Sequence, residues 1–398
     1  MNFNKAISTP ITSSASFSYS SCKEAEDIFN GQSSSPLYSR MGNPTTSILE
    51  SKLASMDNAI ACVCTSSGMG AISMSILSLC SKGDEIIAIG GLFGGTYALF
   101  SQTLVRFGIK TIFLDASSID KIEENINDNT KLIYCESVGN PNLRLLDINK
   151  IAEISNKNEI AFMVDNTSTA SILKPLDLGA DICVYSTTKV ISGNSSALGG
   201  ASTFKAIQEN SKFYSLRYEF MKPFLKKLGS KALFGVNKKR AMRDFGMSAN
   251  ANASYQTLLG LETLDLRNQR INSSCEIIAK VLEEKGINVN HPSLSSNIDN
   301  ELYKRVYPNG CGSVITIDMQ SKDKAYTFLD ASKLLTLTAN IGDSRTLGLH
   351  MSSTIFSDFT DEQKEFLGIS DGLIRLSIGL ENPEDIIKDL INCYNEVK

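Results

Sequence analysis

A lysine that follows a buried run is the feature of this chain most suggestive of chemistry. Residues 182–185, ICVY, have the apolar character of an interior strand, and Lys189 follows them after three hydroxyl residues. Burying an ammonium group is costly, so such a lysine is predicted to have a chemical use. The alternative is a surface lysine whose aliphatic stem packs on the protein while its charge reaches water. Comparable strand ends elsewhere in the chain favour the first interpretation.

Those other strand ends also carry polar groups. Asp165 ends the apolar run 160–164, and the turn Ser67-Gly68-Met69 follows the run 59–66. Alone, an aspartate at such a point is more often a helix cap. In a parallel α/β sheet, however, ligands bind beyond the carboxyl ends of the strands, and free N–H groups at the start of a helix can hold an anion.

Together these groups are the parts needed to hold pyridoxal phosphate. Lys189 would bind the aldehyde of the cofactor, Asp165 would keep the ring nitrogen protonated, and the turn at Ser67 would hold the phosphate. The hydroxyls of Ser186 and Thr188 stand just before the lysine. The joint occurrence of these groups at neighbouring strand ends predicts a cofactor site.

Other binding chemistries are disfavoured by composition. The stretch after Ser67 lacks the third glycine of a dinucleotide fingerprint. Nine cysteines without a C-x-x-C pair are interpreted as reduced core residues, and two distant histidines predict neither a metal site nor a Ser-His-Asp triad.

A net charge of −4 gives no reason to expect nucleic acid. The absence of a signal peptide and of any apolar run of about eighteen residues leads us to expect no membrane association and a cytoplasmic location.

The spacing of apolar runs predicts the fold. Short apolar runs alternate with amphipathic stretches from about residue 46 to 205, which is typical of βαβ units in an α/β fold with a mainly parallel central sheet. The predicted strands are 59–66, 85–90, 111–115, 131–137, 160–166 and 182–186. A basic segment, 224–243, is interpreted as a solvated connection or helix end, and residues 255–285 are predicted to form one long helix.

Amino-acid composition and chain length together predict three regions. Residues 1–45 are rich in Ser, Asn and Thr and are predicted to be an extended arm that contributes to a neighbouring subunit. Residues 46–245 are predicted to be a large cofactor-binding domain and residues 246–398 a smaller α+β domain. The prediction of the smaller α+β domain depends on predicted strands at 313–319 and 372–380 and on a predicted helix around 382–394.

The order of these motifs resembles the Cys/Met-metabolism, or trans-sulfuration, family of pyridoxal-phosphate enzymes, which has the aspartate-aminotransferase-like fold. Residues 38–45, YSRMGNPT, match a motif whose Tyr38 and Arg40 would reach the cofactor phosphate of a neighbouring subunit. The resemblance also implies that Lys189 is the Schiff-base lysine and that Arg375 binds the substrate carboxylate. It further implies a homo-oligomer built from active dimers, with a tetramer expected.

Three further segments resemble the O-acetylhomoserine sulfhydrylase subgroup: 92–100, 136–141 and 339–343. They contain Phe93, Asn140 and Asn340, and the resemblance places the two asparagines at the substrate. It implies a small amino-acid substrate, a separate sulfur donor and γ-replacement of O-acetyl-L-homoserine. The alternatives are methionine γ-lyase, cystathionine γ-synthase or cystathionine lyase activity, or a homologue that binds the cofactor with little turnover.

Departures from the family pattern bear on the choice of substrate. Phe93 stands where the family has a tyrosine stacked on the cofactor ring, so stacking is retained but a hydroxyl that could protonate a leaving group is lost. This change favours an acyl ester over a thioether. An eliminating enzyme would need another acid, for which Lys189 or Tyr97 is the candidate. Asn194 and the segment 350–356 also depart from the pattern, and we expect both to lie at the substrate mouth.

Overall fold

Two sheets organise the protein in a computed structural model that describes residues 6–33 and 35–397. The strands are β1 (Ala61–Thr65), β2 (Glu85–Ile89), β3 (Lys110–Leu114), β4 (Thr130–Glu136), β5 (Ala161–Asp165), β6 (Ile182–Tyr185), β7 (Gly200–Phe204), β8 (Val289–Asn290), β9 (Val314–Asp318), β10 (Thr336–Leu337), β11 (Leu347–His350) and β12 (Leu373–Ser377). The first seven form one sheet and the last five form the other.

Helices alternate with the strands. They are α1 (Cys22–Phe29), α2 (Pro44–Met56), α3 (Gly68–Leu79), α4 (Gly94–Ala98), α5 (Leu104–Arg106), α6 (Ile148–Lys157), α7 (Lys222–Leu228), α8 (Ala232–Val236), α9 (Arg243–Phe245), α10 (Ala251–Leu261), α11 (Leu264–Glu284), α12 (Asn300–Val306), α13 (Lys322–Ala331), α14 (Asp361–Phe366) and α15 (Pro383–Val397). Across the described ranges, none of these helices has the length and hydropathy needed to cross a membrane.

The seven-stranded sheet has the order β1-β7-β6-β5-β4-β2-β3. Its strands β3, β2, β4, β5 and β6 run parallel, and β7 is antiparallel to both of its neighbours. Helices α2, α6 and α10 contribute to the apolar cluster on one face, and α3 and α8 to that on the other. Because both faces are covered, the strands are nearly continuous apolar runs. The mainly parallel α/β sheet predicted from the sequence is confirmed.

The five-stranded sheet has the order β10-β11-β12-β9-β8 and is mostly antiparallel. Residues of α11, α13 and α15 pack on it in a separate apolar cluster. This sheet matters for function because β12 and the loop after β10 face the carboxyl edge of the larger sheet. The boundary predicted between the regions at residue 246 stays a prediction.

Several local predictions were wrong. The single helix predicted for 255–285 is divided into α10 and α11, because Thr263 has the non-helical angles φ −118° and ψ 9°. The basic segment 224–243 is largely helical and buries apolar residues such as Leu233 and Val236. Strand β7 was not predicted, since GASTF is rich in small residues with low strand propensity. The N-terminal arm, predicted to be extended, contains α1.

Candidate functional site

A cavity of about 250 Å³ lies at the carboxyl edge of the larger sheet. Parallel register places Glu136 at the end of β4 beside Asp165 at the end of β5. Ten of the residues predicted from the sequence line this cavity: Ser67, Gly68, Met69, Phe93, Asn140, Asp165, Ser186, Thr188, Lys189 and Arg375. An eleventh, Asn340, contacts Lys189 directly. The fold thus gathers residues from both sheets at one site.

Lys189 occupies the turn after β6 and is partly buried. Its Nζ donates to Oδ1 of Asn340 at 2.6 Å. Burial, with a contribution from the nearby charge of Arg375, lowers the pKa of Lys189 to about 8. The turn is held from behind by Arg267, which donates to the carbonyl of Val190 at 2.6 Å. A lysine with a lowered pKa is suited to act as a nucleophile and as a base near neutral pH.

The rate at which cofactor-free protein captures pyridoxal phosphate is expected to rise with pH. Only the neutral amine of Lys189 can attack an aldehyde, and a pKa lowered from 10.5 to about 8 makes half of that amine available near pH 8. Stopped-flow absorbance between pH 6 and pH 10, at roughly half-unit intervals, should therefore show a midpoint close to pH 8. A midpoint above pH 10 would mean that Lys189 behaves as an exposed lysine.

Asp165 and Arg375 are charges without a counter-ion among the described residues. Asp165 accepts hydrogen bonds from Thr167, including one from its backbone N–H at 2.9 Å, and burial raises the pKa of this carboxyl. Arg375 is 3% exposed and donates only to Oδ1 of Asn140, at 3.1 Å, and to the carbonyl of Asn340, at 3.4 Å. Burial lowers the pKa of Arg375 to about 10, which leaves it charged at neutral pH. An uncompensated carboxylate suits a protonated ring nitrogen, and an uncompensated guanidinium suits a carboxylate ligand.

The part of the cavity formed by the start of α3 and by Ser186, called the phosphate wall below, can hold a phosphate. Ser67 caps α3 by accepting from the N–H of Gly70 at 3.0 Å, and the remaining N–H groups of the first turn are donors for an anion. The hydroxyl of Ser186 has no hydrogen-bond partner among the described residues, whereas Thr188 bonds to Gly199. The groups present therefore fit all three polar parts of pyridoxal phosphate: the amine of Lys189 fits the aldehyde, the carboxylate of Asp165 the protonated ring nitrogen, and the N–H and hydroxyl donors the phosphate.

The phosphate wall depends on a glycine. A Cβ on Gly68 would lie 2.6 Å from Cβ and 2.9 Å from Cα of Ser186. Gly68→Ala is expected to destabilise the protein by about 1–3 kcal/mol, because overpacking must displace the turn or the strand end. Urea unfolding measures this loss, and titration with pyridoxal phosphate should show weaker binding.

A double variant makes that prediction specific. Ser186→Gly removes the nearest atom, so adding it to Gly68→Ala should recover part of the lost stability, in a measurable coupling between the two positions. Simple additivity of the two effects would show that the close approach is not the cause.

Phe93 and Glu136 form the remaining wall. The N–H of Phe93 donates to Oε1 of Glu136 at 2.6 Å. Burial and the adjacent Asp165 raise the pKa of Glu136 well above its usual range. Glu136 was not among the site residues predicted from the sequence, although it ends a buried strand and so met the same criterion as Asp165.

Other predicted residues lie outside this cavity. Tyr38 is 44% exposed, and Arg40 donates to the carbonyl of Arg243 at 2.6 Å. Their role in a neighbouring subunit stays a prediction.

Asn194 and the segment 350–356, which were expected at the substrate mouth, do not line this cavity, so their place at the mouth stays a prediction. His350 instead bonds to Ser353 and to the carbonyl of Asp371. Among residues 6–33 and 35–397, no cluster of three or more His, Cys, Asp or Glu could hold a metal ion.

A lysine, an aspartate and an anion-binding turn at the carboxyl edge of such a sheet define a pyridoxal-phosphate-dependent enzyme of the aspartate-aminotransferase-like fold. The family model described as Cys/Met metabolism PLP-dependent enzyme matches residues 2–395, and the chain belongs to this family.

Relatives of known name span nearly the whole chain. Homocysteine synthase of Schizosaccharomyces pombe is 34% identical over 96% of this chain and 92% of its own length. L-methionine gamma-lyase of Fusobacterium nucleatum subsp. polymorphum is 32% identical over 98% and 93%. A solved structure from Campylobacter jejuni, described as a putative O-acetylhomoserine (thiol)-lyase with a pyridoxyl-lysine monophosphate, superposes with a TM-score of 0.92 at 32% identity, covering 99% of this chain and 96% of that one.

Proposed function

We propose that this enzyme replaces the γ-substituent of O-acetyl-L-homoserine with a sulfur nucleophile, giving homocysteine or methionine. The observation that carries the proposal is Phe93, which lines the cavity without a hydroxyl. Acetate, with a pKa of about 4–5, can leave without an acid, whereas a thiolate, near 8.5, benefits from one. Relatives named homocysteine synthase and O-acetyl-L-homoserine sulfhydrylase support the same assignment.

The proposed roles follow from the charges in the cavity. When bound, pyridoxal phosphate supplies an electron sink for the carbanion formed on the substrate. Asp165 holds the ring nitrogen in its protonated form, and the wall formed by Ser67, Gly68, Met69, Ser186 and Thr188 holds the phosphate. Phe93, which lines the same cavity, would stack against the ring.

The substrate is proposed to lie between Arg375 and Lys189. Arg375 and Asn140 orient the substrate carboxylate, which brings Cα and Cβ within reach of Nζ of Lys189. With its lowered pKa, Lys189 can accept a proton from one carbon and deliver it to the next.

Methionine γ-lyase is the second candidate function, because relatives of that name match almost equally well. Of the two acids considered for it, Tyr97 does not line the cavity and packs instead against Phe113 and Phe359. Lys189 remains, and the carboxyl of Glu136, whose pKa is raised by burial and by the adjacent Asp165, is a further candidate acid within the cavity.

We further propose a homotetramer of active dimers located in the cytoplasm. Tyr38 and Arg40 lie away from the cavity of their own chain, as is required if they serve a neighbouring one. None of the nine cysteines forms a disulfide, which suits a reducing compartment.

A panel of substrates tests the proposed reaction. Holoenzyme is incubated with O-acetylhomoserine plus sulfide, with methionine alone and with cystathionine alone, and the released acetate, homocysteine, 2-oxobutyrate and pyruvate are quantified. Acetate and homocysteine in equal amounts are expected from the first mixture. Faster 2-oxobutyrate formation from methionine would establish the lyase, and no product from any mixture would indicate a homologue that only binds the cofactor.

Phe93→Tyr tests the leaving-group argument. Restoring a hydroxyl at the cavity wall should raise 2-oxobutyrate formation from methionine roughly tenfold or more, since a positioned acid contributes at least that much. Turnover of O-acetylhomoserine should change little. Phe359→Tyr adds the same hydroxyl outside the cavity and is the matched control. If Phe93→Tyr leaves elimination unchanged, the absence of the hydroxyl does not determine the substrate.

A further inference from the structure

A chain of hydrogen bonds leads from the lysine to a buried carboxylate outside the cavity. Nζ of Lys189 donates to Oδ1 of Asn340 at 2.6 Å, and Nδ2 of Asn340 donates to Oγ of Ser195 at 2.9 Å. The hydroxyl of Ser195 in turn donates to Oδ2 of Asp343 at 2.5 Å. Ser195 is exposed at the rim of the site, whereas Asp343 beneath it is 1% exposed.

Asp343, the last group in this series of hydrogen bonds, determines the direction of each of them. Burial alone would favour the neutral form of Asp343, but hydrogen bonds from Arg345 and Ser195 hold its pKa below the usual range, so it is ionised and can only accept. Arg345 donates to both of its oxygens, at 2.8 and 3.1 Å. The single proton of the Ser195 hydroxyl must then point to Asp343. The oxygen of Ser195 is left to accept from the amide nitrogen of Asn340.

We propose that Ser195 and Asp343 are positioning residues, which fix the amide of Asn340 so that its oxygen, rather than its nitrogen, faces Lys189. This inference rests on the proposed role of Lys189 as the cofactor lysine. An amide flip would turn an NH₂ group toward the lysine and oppose its positive charge. The series of hydrogen bonds from Lys189 through Asn340 and Ser195 to Asp343, called the relay below, therefore favours the ammonium form of Lys189. It also holds Nζ of Lys189 beside the cavity.

The backbone supports the same arrangement. Ser195 has φ 57°, a left-handed conformation that is uncommon for a residue other than glycine. The carbonyl of Asn340 also accepts from Arg375 at 3.4 Å, so one residue contacts both the lysine and the guanidinium of the site. The next serine, Ser196, bonds to Asn194 and takes no part in the relay.

Other charged groups face the same lysine and must be held constant in any test. Arg375 from β12 disfavours the ammonium form of Lys189. The carboxyl groups of Asp165 from β5 and Glu136 from β4 line the same cavity. Asp343 is itself flanked by Arg345 and lies within the field of Arg267. The variants described next leave all of these groups except Asp343 in place.

The test measures the pKa of Lys189 in cofactor-free protein by competitive amine acetylation across pH, with the Lys189 peptide quantified by mass spectrometry. Asn340→Ala removes the acceptor and should lower this pKa by about one unit. Ser195→Ala and Ser195→Gly free the amide and should each lower it by about half a unit. Ser195→Gly relieves the left-handed backbone, so agreement between the two variants assigns the effect to the hydroxyl.

Two more variants complete the test. Asp343→Asn can donate to Ser195 and so permit the reversed chain, and it should also lower the pKa. Ser196→Ala is the control in the same loop and should leave it unchanged. A shift in Asn340→Ala with none in both Ser195 variants would overturn the proposal.

The readout also separates this inference from the proposed function. Loss of cofactor binding by wild-type protein would refute the role of Lys189 but leave the measured pKa values intact. In holoenzyme, the visible absorbance of the bound cofactor should titrate at a lower pH in the Ser195 variants than in wild type, which a merely structural serine would not cause.

Discussion

Replacing Lys189 with alanine is expected to abolish turnover of every substrate in the panel. In the proposed mechanism Lys189 is both the covalent anchor of the cofactor and the group that moves protons on the substrate, so kcat should fall by roughly 10⁴-fold or more. The visible absorbance of holoenzyme should be lost at the same time. Steady-state release of acetate and absorbance spectra measure the two effects on the same samples.

Lys205→Ala is the matched control for this prediction, because Lys205 is exposed and does not line the cavity. The folded state of Lys189→Ala should be retained, since removing a partly buried ammonium eliminates a desolvation penalty. Circular dichroism checks this point. Appreciable turnover in a folded Lys189→Ala protein would place the catalytic lysine elsewhere.

Replacing Arg375 with alanine is expected to give the second largest loss. The guanidinium is buried, charged and without an acidic partner among the described residues, so a bound carboxylate would be its counter-ion. We expect kcat/KM for O-acetylhomoserine to fall roughly 10²- to 10³-fold, equivalent to about 3–4 kcal/mol. Cofactor absorbance should remain, because Arg375 is proposed to bind the substrate and not the cofactor.

Arg375→Lys separates charge from geometry. Lysine keeps the charge but not the planar fork that binds a carboxylate through two parallel hydrogen bonds, so its kcat/KM should lie between those of wild type and Arg375→Ala. A second comparison uses a substrate analogue with an amide in place of the carboxylate. The kcat/KM for this analogue should fall little when Arg375 is replaced by alanine. If the variants and wild type have kcat/KM within about threefold of each other, Arg375 is structural and does not bind substrate.

The sequence predicts the central sheet well because its strands are covered on both faces. Runs such as 85–90 and 131–137 correspond to β2 and β4 within one residue at each end. Strand β7 was missed because it is built from small residues between β1 and β6, where a larger side chain at Gly200 would meet the backbone of Ser67. The division of 255–285 was missed because apolar spacing continues through Thr263 while the backbone turns.

The cofactor side of the site could likewise be predicted from local pattern. Asp165, Ser67 and Lys189 each follow a strand, and the carboxyl ends of parallel strands meet at one edge. The substrate side could not. Arg375 lies in β12 of the smaller sheet and Asn340 in the loop after β10, and Asn340 reaches Lys189 from 151 residues along the chain. No local pattern encodes such a contact, and only the family resemblance pointed to it.

Two features were recognised only in the three-dimensional structure, although the place of Glu136 at the end of a buried strand could have indicated the first of them. Glu136 is a site residue through its contact with Phe93 and its place beside Asp165. Ser195 and Asp343 acquire significance only from the hydrogen bonds that connect them to Lys189. The direction of those bonds follows from which groups are ionised, which a sequence alone does not show.

The central claim is that Lys189, in this cavity, carries the cofactor. Holoenzyme is reduced with borohydride, digested and mapped by mass spectrometry, with Lys189→Ala processed in parallel. We predict one pyridoxyl phosphate per chain, attached at Lys189 and lost in the variant. Attachment at another lysine, or an unmodified Lys189 peptide from fully loaded protein, would contradict the account.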